Sequence, residues 1–138
     1  MATIIGPKYT NDGTNKVKSR CAVSIDKSAD KSSGKVTYTF TCKIQFWRSF
    51  GGDRTWGTLN SYIYYNGTQI KSDSDNTWGF SDKETWVTAQ TLKFDKTFDL
   101  FKDVSFTIGY KTTSNYDRLA TDQTTITIKQ NPYTKSIS

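Results

Sequence analysis

The chain contains no histidine and only two cysteines, Cys21 and Cys42. Without an imidazole, neither a Ser-His-Asp nor a Cys-His arrangement can be assembled, because the base that activates the nucleophile is missing. A structural zinc site takes four Cys or His ligands, which two thiols cannot supply. What remains is carboxylate chemistry. Glu84 is the single glutamate, and Asp53, Asp73, Asp75 and Asp82 fall in stretches that read as loops. Loop aspartates bond their own backbone as turn formers, so a paired-carboxylate hydrolase is a poor reading of them. The run Asp73-Ser74-Asp75-Asn76 carries hard oxygen ligands of the kind calcium takes. It lacks the glycine and the distal glutamate of an EF-hand loop, and it reads as a turn. No catalytic residue, metal or cofactor is expected, and the chain reads as non-enzymatic.

Aromatic rings and positive charge are the informative groups. Aromatic residues make up 14% of the 138 residues, with four Trp among them. Rings in a core are ordinary; rings outside a sheet stack on sugars or bases or anchor a protein partner. Trp47 alternates to the outer side of its strand, Tyr62 and Tyr64 share a side, and Trp56 and Trp78 sit near loops. These five form an expected aromatic platform, while Trp86 is assigned to the core. The net charge is +6; residues 1–50 hold nine Lys or Arg against three Asp, and residues 51–138 hold ten of each sign. Lys16, Lys18, Arg20, Lys35 and Lys43 form an expected basic patch. A solvated, solubilising face is the plain reading of that surplus. The sharper reading is a surface for an acidic partner: an acidic protein, an anionic cell-wall polymer or a nucleic acid. Against nucleic acid stand the lack of a ribonucleoprotein-type aromatic motif and the acids mixed into the C-terminal part.

Strands must carry these groups. Ala, Leu and Glu are scarce, and Thr, aromatic and β-branched residues dominate, which excludes a helical protein. The length fits one domain. Residues 1–15 show no clear period and contain Gly6, Pro7 and Asn11-Asp12-Gly13; they read as an extended arm whose Ile4 and Ile5 lie too far from the core to be buried. Residues 16–130 read as the folded domain and 131–138 as a polar tail. Alternation begins at Val17, lapses in a polar loop over 26–34, and is clearest from Val36 to Phe46. A strand over Gly57–Tyr65 meets Asn66-Gly67, a strong hairpin signal. Further strands are expected around 68–72, 87–94, 104–111 and 124–129. Seven or eight short strands predict an all-β, single antiparallel sandwich of immunoglobulin or fibronectin kind, with a jelly roll or small barrel as the alternative. No segment reads as a secretory signal or a membrane span.

Setting Cys21 opposite Cys42 in an antiparallel pair brings Val23 against Phe40, Ile25 against Tyr38 and Val17 against Phe46, all apolar and inward. In that register Arg20 faces Lys43, and Lys16 faces Trp47 in reach of a cation–π contact. Directly opposed cysteines can bond, in an often strained geometry; with no secretory signal read, two buried free thiols are expected, because a cytosolic origin keeps thiols reduced.

The run Ser33-Gly34-Lys35-Val36-Thr37-Tyr38-Thr39-Phe40, the Gly-rich loop after it, the Tyr-rich strand ending in Asn66-Gly67, Trp78, and the closing Thr125-Ile126-Thr127-Ile128 form a pattern over residues 17–129. It resembles the immunoglobulin-like β-sandwich domains of structural proteins in tailed phages of Gram-positive hosts. The resemblance implies a structural or adhesion component of a virion, in the tail, baseplate or capsid decoration. It implies assembly in the host cytoplasm, with other virion proteins or further copies of the chain as partners. A carbohydrate-binding module, extracellular and directed at a cell-surface glycan, is the alternative, and a nucleic-acid-binding barrel the second. No membrane partner is expected.

Overall fold

Period-two alternation of apolar and polar residues forces a strand to bury one face, and eight strands do so here. A computed structural model describes residues 2–9, 17–30, 32–49, 54–80, 84–114 and 118–129. The strands are β1 (Ala2–Tyr9), β2 (Val17–Asp30), β3 (Lys35–Arg48), β4 (Arg54–Tyr65), β5 (Thr68–Phe80), β6 (Val87–Asp99), β7 (Val104–Ser114) and β8 (Arg118–Ile128). They form two antiparallel sheets, A in the order β1-β2-β3-β6 and B in the order β5-β4-β7-β8. The expected all-β sandwich is the fold. The strand β6 returns to sheet A after β4 and β5 have entered sheet B, so the chain crosses between the two sheets more than once.

β1 is an extra strand outside β2 and corrects the expected arm. It pairs with β2, and Ile5, opposite Cys21, is 2% exposed. Gly6 lets it bulge: its φ is +101°, and a Cβ there would lie 2.9 Å from the Ser19 carbonyl oxygen. Ile4, on the opposite side of the strand, is 50% exposed, as the sequence suggested. Residues 10–15 and the expected tail, 131–138, lie outside the described residues.

The β2–β3 register differs from the expected one by two residues. Cys21 faces Ile44, Cys42 faces Val23, and Ile25 faces Phe40. Every side chain keeps its face, because a shift of two preserves the alternation. The turn now centres on Ser32 and Ser33, where Asp30 accepts from the Ser32 backbone N–H (3.0 Å) and hydroxyl (2.7 Å). That Asx turn selects the register. Arg20 therefore faces Gln45 rather than Lys43, and the expected like-charge pair does not form. Both thiols are free and buried, diagonal neighbours on the inner face. The Cys42 side chain and burial push the Cys21 thiol far up.

Two expected loops are strand. The polar run Asp73-Ser74-Asp75-Asn76 lies in the edge strand β5. Successive side chains of a strand point to opposite faces, so Ser74 faces away from Asp73 and Asp75. Polar residues suit β5 because, among the described residues, one of its edges has no ladder partner. β2 likewise runs to Asp30.

The core has two halves. One is aromatic: Phe40 stacks on Phe94 at 4.7 Å and meets Phe106 edge-on at 5.6 Å, while Phe98 and Tyr65 both stack on Phe106. The other half is mixed, with buried Ser19, Arg48, Ser61, Gln90 and Thr112 set among Ile44, Phe46, Leu59 and Tyr110. Ser61 donates to Gln90, Gln90 donates to the Leu59 carbonyl at 3.3 Å, and the Ser19 and Tyr110 hydroxyls lie 3.2 Å apart.

Candidate functional site

The mixed half of the core lies under the end of sheet A where β2 begins and β3 ends. On the outer face of that end, alternation brings out Lys18 and Arg20 from β2 and Gln45 and Trp47 from β3. Trp86 and Thr88 come in from the start of β6, where a register irregularity between Ile44 and Gln45 shifts the pairing by one residue. The ammonium of Lys18 lies over the Trp47 ring, 4.3 Å from its centroid. The guanidinium of Arg20 lies over Trp86 at 4.0 Å. Arg20 Nε donates to Gln45 Oε1 at 2.7 Å, and Gln45 Nε2 donates to Thr88 Oγ1 at 3.1 Å.

This chain of contacts fixes a cation that would otherwise sweep through several rotamers. A guanidinium over an indole gains cation–π attraction and keeps its charge with little hydration to lose. Partial burial pulls the Arg20 guanidinium below its ordinary value, and it stays protonated at any ordinary pH. Among the described residues its Nη atoms make no hydrogen bond, leaving the fork that matches a carboxylate or phosphate. The site is thus a positioned cation pair on an aromatic floor. It offers binding chemistry: a guanidinium and an ammonium seated over indoles can meet an anionic group.

The structure redistributes the expected residues. Trp47 stands on the outer face of sheet A, whereas Tyr62 and Tyr64 stand on the outer face of sheet B, opposite Lys111 and Gly109 of β7. The two groups face away from each other across the sandwich and form no common platform. Trp56 and Trp78 belong to β4 and β5, and their side chains lie outside the described residues. Lys16 also lies outside them, and the expected cation–π contact to Trp47 is made by Lys18 instead. Lys18, Arg20, Lys35 and Lys43 do share the outer face of sheet A. Lys35 is separated from the others, at the far end of the face, between Asp30 on β2 and Asp99 on β6.

Trp86, expected in the core, is half-buried beneath Arg20 on the outside. Gln45 of β3 joins the site as well, linking Arg20 on β2 to Thr88 on β6. The sequence offered a signal for Gln45, its outward phase between Lys43 and Trp47, but none for Trp86, which precedes the strand. On sheet B, Tyr62 and Tyr64 lie two residues apart beside Asn60, with the Lys111 ammonium 6.0 Å from the Tyr62 ring and Asn60 Oδ1 accepting from Ser74 at 2.7 Å. Compared with known proteins, the chain matches no family model and no curated relative.

Proposed function

We propose that the chain is a non-enzymatic structural or adhesion module, a component of a phage virion in the tail, baseplate or capsid decoration, that attaches through the outer face of sheet A. The observation that carries this is the fixed pair of cations over Trp47 and Trp86. Exposed cations ordinarily move freely in water; here side chains are spent on holding them still, which lowers the ordering cost of binding. Aromatic and Arg side chains together are the usual anchors of protein interfaces. The missing histidine and the strand pattern of residues 17–129 point the same way. The test is attachment. Purified particles should contain the chain in stoichiometric amounts, and Trp47→Ala or Arg20→Ala should abolish incorporation while the isolated domain stays folded. Particles lacking the chain would end this reading.

A second reading rests on sheet B. Tyr62 and Tyr64 project from the same face about 7 Å apart, flanked by amide and hydroxyl groups, as a small platform for a neutral glycan. A glycan array divides the two: binding lost in Tyr64→Ala but kept in Arg20→Ala supports the carbohydrate module. Binding of DNA that weakens steeply with salt would favour a nucleic-acid partner instead.

A further inference from the structure

The register places the charges of sheet A's outer face row by row. From the Trp47 end the rows are Lys18–Trp47, Arg20–Gln45–Thr88, Ala22–Lys43–Thr91 and Ser24–Thr41–Lys93. They hold four cations and no carboxylate. The remaining rows are Asp26–Thr39–Asp95, Ser28–Thr37–Thr97 and Asp30–Lys35–Asp99. They hold four carboxylates and one lysine. One face is therefore cationic in one half and acidic in the other. Ile4, the one large hydrophobic residue found exposed among the described residues, lies on this face beside Ala22.

We infer that this face is self-complementary and that its partner is a second copy of the chain. The inference rests on the reading of this face as the binding surface and adds what it binds. Turn a second copy over about an axis crossing the strands midway between the Thr41 and Thr39 rows. β2 then lies along β2 and β6 along β6, in opposite directions. Lys93 meets Asp95 of the second copy, Thr41 meets its Thr39, and Arg20 reaches toward its Asp30. The same contacts recur on the other side of the axis, as in any two-fold dimer. A face from Lys18 to Asp30 is about 40 Å long, and its three to four strands are roughly 14–19 Å wide. That is on the order of 600–700 Å² per copy, near the ~800 Å² per partner of a stable interface. A nucleic acid or an anionic polymer would match the cationic half and be repelled by the acidic half, whereas a second copy matches both.

The experiment is sedimentation of the full chain at rising concentration, at low and high salt. A dimer that weakens as salt rises is expected. Lys93→Glu and Asp95→Lys, both at exposed positions, should each weaken it about 10-fold or more by opposing like charges. The double variant Lys93→Glu/Asp95→Lys should recover it to within a few-fold. A native chain that stays monomeric, single variants that leave the dimer intact, or a double variant that does not recover would each overturn the proposal. Incorporation into particles that needs Trp47 while the free chain is monomeric would overturn the dimer and leave the attachment reading standing.

Discussion

Tyr64 and Phe40 belong to the same residue class and meet different fates, because one sits on an outward and the other on an inward phase. Phe40 is fully buried between Phe94 and Phe106, and Phe40→Ala should cost about 3–5 kcal/mol. Tyr64 stands half-exposed on sheet B, and Tyr64→Ala should cost under about 1 kcal/mol. Urea denaturation of both variants checks this, and equal losses would put Tyr64 in the core. Tyr110 carries a pH dependence. Burial, only partly offset by the Ser19 hydroxyl, pushes its phenol up to about 12. The unfolded chain gives up this proton from about pH 10, well before the native one. The stability tied to Tyr110 is whole below about pH 10 and is lost as pH rises toward 12, by roughly 2–3 kcal/mol in all. Urea midpoints at about pH 8 and pH 11.5 should fall less in Tyr110→Phe than in the native chain. Equal falls would assign the loss to other groups.

Among the elements, β1 is the one that alternation could not reveal. Ala2-Thr3-Ile4-Ile5 is too short to show a period, and the Gly6-Pro7 bulge breaks it. Only the tertiary fact that Ile5 closes over Cys21 makes the segment a strand. The consequence reverses the expectation for an arm: removing residues 1–9 should lower the melting temperature clearly. Ile5→Ala alone should cost about 2–4 kcal/mol. Gly6→Ala should cost at least about 1 kcal/mol, because its φ is strained for a side chain and its Cβ would press on the Ser19 carbonyl. Thermal melts of the three variants decide it, and an unchanged melting temperature in all of them would restore the arm. The other strands were legible because long runs such as Val36–Phe46 bury every second residue completely. Their register was not, since a slip of two keeps all apolar residues inward, and the choice lies in the serines after Asp30. The site was half legible for the same reason. Phase places Trp47, Arg20 and Lys43 on one outer face, but which indole each cation covers depends on register, and Trp86 depends on an irregularity in the β3–β6 pairing.

At the scale of the whole molecule, the two core halves hold the sandwich unequally. Stacked Phe rings fill one half, burying large apolar areas with nothing polar to satisfy. The other half keeps Ile44, Phe46 and Leu59 but gives part of its volume to Ser19, Ser61, Gln90, Thr112 and Arg48, whose burial yields little net gain even where hydrogen bonds are made. The Leu100 N–H donation to Gly34 and the Asn66–Thr107 exchange tie the turns together at the aromatic end. Opening should therefore begin at the mixed end, the end that carries Trp47, Trp86, Lys18 and Arg20. A binding surface drawn from the less stable end of a fold can adjust to a partner without unfolding the rest. Amide hydrogen exchange tests the gradient within single strands. Amides of β3 near Phe40 should exchange only through global unfolding, and those near Phe46 faster, by local opening. Raising the denaturant slightly should speed exchange near Phe40 far more than near Phe46, because global unfolding exposes more surface than local opening. Uniform protection along β3 would mean that the sandwich opens as one unit and that the cation–indole face is as rigid as the aromatic core.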